Sequence, residues 1–460
     1  MRRTALSVVA AAVLLAPAAA HASGFSTARF GAEQGTPVSA NPTALYYNPA
    51  AIAETSGFRI FVDGSFAFRA ATYTHSTAPS DVPEPAGAEG ANNGQATLFN
   101  FAAAPMIGAT YKLPNNLAFG AGFYVPFGGA SVWDKNKKFE GNKDFAGPVD
   151  GVQRWNTIDG TLRSMFATVG VAYRIEAARL SIGLTGNLII SNTDTIRARN
   201  TNGSNRLDTE GRALISVSGL SGSFGVGAMW EAIPKQLWFG ASYQSMPGVT
   251  GGLALDGKLK LKLPKAEATE TDVTLYQDLP QVIRFGAKGR PMDWLELRLF
   301  GDVTMWSVVK DQCLSAKGEE CKINEDGSPA DGTVPIQNVP RRWQDAFGVR
   351  AGVSLFPRET VEVLAGVGYD SNAIPDATLD PSITDFDDIS VALGGRMQFA
   401  KQFAAALTYT HLFYLPRNTA GKAGVSESGE LFAAPSNGPD SGGTYTQSIG
   451  VINANVELSF

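Results

Sequence analysis

The sequence predicts an all-β chain, a fourteen-stranded antiparallel transmembrane β-barrel, and three observations carry that reading. The first is the C-terminal segment. Ile452, Ala454, Val456, Leu458 and Phe460 share one face of a strand, while Asn453, Asn455, Glu457 and Ser459 share the other. A chain that ends inside an alternating strand is unusual, because the ends of soluble domains fray. One face suits lipid and the other a wet lumen. The second observation is a strict alternation of short and long connections between apolar-alternating runs. The third is composition: of 460 residues 50 are Gly, aromatics make up 10% and charged residues 18%, below the roughly 25% of ordinary globular domains. Beyond the N-terminal leader no run reaches the roughly 18 apolar residues of a membrane helix.

From the N-terminus, Arg2 and Arg3 precede an apolar run from Ala5 to Ala20, and Ala20-His21-Ala22 has the small-x-small pattern of a cleavage site. Residues 1–22 are therefore read as a secretory signal peptide. Its removal leaves 36 basic against 43 acidic residues, formally −7. Residues 23–57 fit no strand pattern and carry turns at Asn41-Pro42 and Asn48-Pro49. A piece of this length ahead of the first strand can fold up into the lumen as a hatch, a known way to plug a barrel. The barrel then occupies 58–460.

Six connections are short and turn-rich: Leu113–Asn116, Glu176–Ala178, Ile233–Gln236, Arg290–Asp293, Pro357–Thr360 and Ala400–Gln402. Seven long polar stretches alternate with them: His75–Gln95, Phe127–Gln153, Arg197–Leu207, Thr250–Asp272, Lys310–Arg341, Pro375–Asp387 and Arg417–Gly443. Tight periplasmic turns and long extracellular loops have this arrangement, and an even strand count puts both termini in the periplasm. Within strands the faces separate cleanly. In Phe58–Arg69, Phe58, Ile60, Val62, Phe66 and Phe68 oppose Arg59, Asp63, Ser65 and Arg69. In Leu295–Trp306, Leu295, Leu297, Leu299, Val303 and Met305 oppose Glu296, Arg298, Asp302 and Thr304. Inward charge requires water or a polar plug to pair with it. Cys313 and Cys321 lie close together in a polar stretch; in an oxidising compartment a loop disulfide is expected. A metal site would want more ligands, and only His75 and His411 remain once the leader is gone.

At this point the chain resembles the FadL-type outer-membrane transporters, which include long-chain fatty acid transporters and TodX-like proteins for aromatic hydrocarbons. The resemblance is carried by Tyr46-Tyr47-Asn48-Pro49-Ala50, matching the motif of that family's N-terminal hatch, and by Leu279-Pro280-Gln281-Val282 leading into Phe285-Gly286. Gly368-Tyr369-Asp370 with Ile374-Pro375-Asp376, Tyr409-Thr410-His411-Leu412-Phe413 and the terminal Phe460 add to it. Two departures stand out: Asn41 occupies a position that is acidic in many relatives, and Ala51 one that is Gly. The resemblance implies a monomeric barrel in the outer membrane of a Gram-negative bacterium, passive uptake of a hydrophobic ligand, and lateral exit into lipid at a kink in the third strand. It implies no cofactor. The third strand would be Leu117–Val125, with Gly120, Gly122, Pro126, Gly128 and Gly129 forming the kink; the same glycines could instead serve tight packing. The hatch motif Asn48, Pro49 and Ala50 is expected inside the barrel beside that kink, as a gate or as a plain turn. Phe25 and Phe30 are ligand-contact candidates, and so are Arg298, Arg350 and Arg396 for a carboxylate ligand. Pairing with hatch or lumen carboxylates is the favoured reading for each of the three arginines. Phe460 is expected to be read by the barrel assembly machinery.

Other classes fit less well. No basic cluster interleaved with aromatics suggests nucleic acid. Neither His75 nor His411 comes with a nucleophile motif, which argues against an outer-membrane lipase. Gly252–Leu259 nearly matches a phosphate-binding loop, but Leu259 replaces the required Ser/Thr, and it reads as a loop entering a strand. A general porin needs an open lumen, which the segment 23–57 argues against. An aromatic hydrocarbon or alkane remains the alternative to long-chain fatty acid as ligand.

Overall fold

The computed structural model describes residues 29–460 except 201 and 249–251. The signal-peptide reading and Phe25 lie outside the described residues.

Alternation decides which residues become strand and which way each faces. In β1 (Phe58–His75) the inward set includes Phe61, Asp63, Ser65, Arg69 and Tyr73, all buried, while Phe66 and Phe68 are exposed on the outside. The chain continues through β2 (Gly94–Lys112), β3 (Leu117–Val132), β4 (Asp159–Ile175), β5 (Leu180–Arg199), β6 (Gly211–Ile233) and β7 (Leu237–Gln244). Then come β8 (Leu253–Lys262), β9 (Thr269–Gln277), β10 (Val282–Met292), β11 (Leu295–Thr304), β12 (Asp311–Ala316) and β13 (Gln337–Pro340). The last are β14 (Ala346–Arg358), β15 (Val361–Asp370), β16 (Asp388–Ala400), β17 (Phe403–Tyr414), β18 (Arg417–Asn418) and β19 (Thr444–Ser459). Fourteen of these 19 strands close an antiparallel ring; β8, β9, β12, β13 and β18 belong to the long-loop end. The ring shuts where β19 pairs with β1 from Arg59↔Ser459 to Thr74↔Thr444.

Several boundaries differ from the sequence reading. β3 runs on past Val125 to Val132, and β11 stops at Thr304, leaving Met305 outside it. Thr250–Asp272 and Lys310–Arg341 are not simple loops. Leu253, Leu255 and Leu259 turn inward on β8 while Lys258, Lys260 and Lys262 face out, which is the period of a strand. β8 pairs with the upper half of β6, β9 with β8, β12 with β9 and β13 with β12, so these strands extend the wall at the long-loop end. Cys313 and Cys321 form a disulfide there, with Cα atoms 6.3 Å apart.

Residues 29–57 sit within the ring as short helical turns, Ala32–Gln34, Ala44–Tyr47 and Pro49–Glu54. Their small apolar side chains form their own core. Val38, Ala44, Leu45 and Ala50–Ala53 pack with Ala118, Ala172 and Met229 of the wall.

Candidate functional site

The site begins where the wall is interrupted. β2 pairs with β1 along its length, but with β3 only from Lys112↔Ala118 to Met106↔Tyr124. Above Tyr124, β3 carries one extra residue relative to β4, a bulge between Tyr124 and Phe127, and thereafter pairs with β4 alone. Pro105 and Pro126, which cannot donate to a ladder, stand at the two edges where pairing stops. The edges meet again through Asn100, which donates from Nδ2 to Val132 O at 3.0 Å and accepts at Oδ1 from Val132 N at 3.2 Å. Between these points residues 101–105 of β2 and 125–131 of β3 form a seam without ladder pairing to one another.

Of the five residues assigned to a kink, Pro126 is in the bulge and Gly128 and Gly129 lie just above it. Gly120 and Gly122 lie below it in regular ladder, where they accommodate Leu45 of the internal segment: a Cβ on Gly120 would stand 2.9 Å from Leu45 Cδ2. Close approach is also required at Gly183 and Gly227, where a Cβ would collide with Pro49 and with Asn48 Oδ1.

Asn48 is fully buried. Its Nδ2 donates to Pro37 O at 2.8 Å and to Ala228 O of β6 at 3.0 Å, and its Oδ1 accepts from Ala50 N at 3.1 Å. The motif is thus seated against β5 and β6, not beside the bulge as the sequence reading had it. The part of the segment that does reach the bulge is aromatic. Phe30 stands 5.1 Å from Tyr46 and 5.6 Å from Tyr124, and Tyr46 stands 5.4 Å from Tyr124. Arg284 lies 4.3 Å over the Tyr46 ring and donates to Tyr46 O at 3.3 Å. From Tyr124 the rings continue upward: Phe166 at 5.7 Å, then Phe127, Trp306 and Trp343, each within 6.2 Å of the one before.

Above this track lies a cavity of about 130 Å³ lined by Leu162, Ile215, Leu275, Leu314, Val339 and Ile383, with Arg197 and Arg341 among few charges. Arg341 is held by Asp380 at 2.8 Å. Arg197 makes no ion pair among the described residues, and its Nε has no hydrogen-bond partner. A second cavity of about 90 Å³ opens between the loops, sharing Arg197 and Asp380 with the first and adding Arg199, Asn437 and Ser441.

The three arginines named from sequence are all paired. Arg298 Nη1 meets Glu296 at 3.0 Å and Glu362 at 3.8 Å, Arg350 meets Asp302 at 2.9 Å as well as Asp370, and Arg396 meets Glu457 at 3.2 Å. Arg29 of the internal segment joins the same system, 2.5 Å from Asp370. At the short-turn end Arg174 contacts Glu54, Glu176 and Glu231, tying the segment's exit to the wall. Sequence reasoning missed Arg197 and the ring track.

The sequence pattern of a family described as outer membrane protein transport protein (OMPP1/FadL/TodX) matches residues 4–434. An outer-membrane protein of Neisseria meningitidis serogroup B is 22% identical over 418 residues, 86% of this chain and 87% of that one. Among solved structures, a Pseudomonas aeruginosa FadL homologue aligns with TM-score 0.73 at 18% identity, covering 96% of this chain and 100% of that chain. The Ralstonia pickettii toluene transporter TbuX gives 0.61 at 16% identity over 91% and 94% of the two chains. The Pseudomonas putida toluene transporter TodX gives 0.60 at 15% over 95% and 98%. At these identities the structural likeness speaks for the fold.

Proposed function

The chain belongs to the outer membrane transport protein family OMPP1/FadL/TodX and is an outer-membrane β-barrel transporter of hydrophobic compounds; from that premise we propose that it takes up long-chain fatty acids and releases them sideways into the membrane. The long-loop end is extracellular and both termini are periplasmic, with the first strand preceded by a hatch, residues 23–57. The ligand enters between the loops, places its chain in the apolar cavity and its carboxylate on Arg197, and moves along the ring track to the seam between β2 and β3. An apolar chain gains about 25 cal/mol per Å² on leaving water, so leaving into the bilayer avoids resolvating it in the periplasm.

The observation that carries the reading is Arg197, a guanidinium without an ion pair among the described residues. Its cavity combines Leu162, Ile215, Leu275, Leu314, Val339 and Ile383 with polar groups, Arg341 and Asp380 among them already paired with each other. A cation there suits an amphipathic anion, and a neutral hydrocarbon would gain nothing from it. The alternative ligand, a monoaromatic hydrocarbon, is favoured by the rings from Tyr124 to Trp343 and separates from the first in one experiment. Arg197→Leu should weaken fatty-acid binding by about tenfold to a hundredfold, the equivalent of losing one hydrogen bond to a charged group, and leave toluene binding unchanged. Deleting Pro126 removes the extra residue of the bulge, lets β3 pair with β2, and should stop uptake of either ligand while binding persists. Unchanged fatty-acid binding in Arg197→Leu sinks the carboxylate reading, and unchanged uptake in the deletion sinks lateral exit.

A further inference from the structure

His75 ends β1 at the loop end, beyond Phe68, the last exposed large apolar residue on that strand, and it is 5% exposed. Both ring nitrogens face acceptors. Nδ1 lies 2.6 Å from the main-chain oxygen of Gly442, and Nε2 lies 3.0 Å from Asp81 Oδ2. A neutral imidazole has one N–H and a main-chain carbonyl only accepts. Asp81 Oδ2 also accepts from Ala78 N at 2.7 Å and its Oδ1 from Asn205 Nδ2 at 2.8 Å. Against a carboxylate at Asp81, both contacts are hydrogen bonds at once only when the ring is an imidazolium.

Those partners come from three loops: Asp81 from 76–93, Asn205 from 200–210 and Gly442 from 415–443. Asn205 is tied back to the first loop, accepting from Val82 N at 2.8 Å. The same third and seventh loops supply Gly203, Asn437 and Ser441 to the cavity at the mouth. We propose that His75 is a proton-operated clasp at the mouth of the barrel: the imidazolium fastens the first, third and seventh loops together, and its deprotonation releases them. The link to uptake rests on the reading that ligand enters at this end; the clasp itself does not.

The groups facing His75 agree on the sign. Asp81 and Asp440 supply negative charge from the first and seventh loops, and the ring of Tyr73 on β1 packs 6.0 Å from His75, with Tyr445 of β19 behind it at 4.8 Å from Tyr73. Burial alone would lower the histidine, but the bonds to Asp81 and Gly442 with the charges of Asp81 and Asp440 outweigh it and hold the ring above the ordinary value of 6.5. A raised folded value means that the clasp is complete below 6.5 and is lost as pH climbs through the folded value.

The test uses the full barrel in lipid nanodiscs. Without the leader it carries two histidines, so ring NMR follows His75 against His411, and the His75→Gln variant assigns them. The expected result is a His75 midpoint above the ordinary histidine value. Amide exchange in 76–93 and 415–443, corrected for its intrinsic pH dependence, should rise severalfold above that midpoint. Asp81→Asn should move the midpoint down by about one pH unit, and His75→Gln should abolish the pH dependence of loop exchange. A midpoint at or below the ordinary value, or loop exchange whose pH response survives in His75→Gln, overturns the clasp. Should His75→Gln fail to assemble, as judged by heat-modifiable migration, Asp81→Asn decides: an unmoved midpoint overturns the proposal. A working clasp with no pH effect on uptake would refute only the entry route.

Discussion

Asn48 has two jobs that a pair of substitutions separates. Its Oδ1 caps the turn Pro49–Glu54 by accepting from Ala50 N, and its Nδ2 ties that turn to Pro37 O and to Ala228 O in the wall. Asn48→Ala removes all three hydrogen bonds. At about 1 kcal/mol each, the seated hatch loses about 3 kcal/mol, roughly a hundredfold in its population. Asn48→Asp keeps the shape and the cap, since Asp caps as well as Asn, but turns a carboxylate toward two carbonyl oxygens. If Asn48 only forms a turn, Asp is tolerated and Ala is mildly harmful. If it cinches the hatch to the wall, Asp is the worse of the two. The assay is planar-bilayer conductance together with uptake of a labelled fatty acid, in protein checked for amount and heat-modifiable migration. Both variants should raise conductance and lower uptake, Asp more than Ala, because Tyr46 is displaced from Tyr124 along with the turn. An Asp variant that conducts and transports like the parent would refute the cinch.

Two further outcomes are expected. Replacing Cys313 and Cys321 by Ser should leave the barrel assembled, because a loop closed over a separation of 8 residues contributes at most about 3 kcal/mol; loss of heat-modifiable migration would contradict this. Deleting Phe460 should cut outer-membrane levels far more than its contacts warrant. Phe460 is 63% exposed and its ties are a pair of main-chain bonds with Phe58, of 2.8 and 3.0 Å, and a ring contact with Phe58 at 6.3 Å, so normal levels in the deletion would argue against recognition of the terminal residue by the assembly machinery.

The staves were legible because lipid and lumen demand opposite chemistry from successive residues. Phe66 and Phe68 against Asp63 and Arg69 could be sorted without knowing their neighbours. Only an entry into strand was read at Gly252–Leu259, and the rest of β8 was taken as part of the long connection Thr250–Asp272, because lysines on its outer face made the stretch look like loop. Glycine carried less information. Nothing in the sequence tells a glycine that bends a strand from one that makes room for a distant side chain, and Gly120 and Gly122 proved to face Leu45. The arginines are paired, as expected, but their partners were not legible. Alternation pointed Arg298, Arg350 and Arg396 inward, but their carboxylates include Glu362, Asp370 and Glu457, distant in sequence and assembled only by closure of the ring. Arg197, at the far end of its strand, looked like the first residue of a loop.

The distribution of those tethers determines which part of the hatch can move. Its C-terminal end is fastened by Glu54 to Arg174, whose other contacts are Glu176 and Glu231; Arg174, Glu54 and Glu231 are each 10 to 12% exposed. Its middle is fixed by Asn48 through buried bonds to main chain. Its N-terminal end is held by Arg29 to Ser390 at 3.0 Å, by Asn453 to the main-chain oxygen of Arg29 at 3.4 Å and by Gln34 to Glu362 at 3.2 Å. It is also held by Arg29 with Asp370, an ion pair whose side chains are 24% and 23% exposed and that, wet, contributes about 1 kcal/mol or less. Breaking that ion pair leaves Arg350 still paired with Asp302 and Asp370, so the wall is undisturbed. The N-terminal end is also the one whose Phe30 packs on Tyr124 directly below the bulge. On the proposed route a ligand arriving along the ring track meets this end of the hatch, and a swing of Arg29–Gly35 about Asn48 is expected to clear the seam while Asn48 and Glu54 keep the rest of the plug in place.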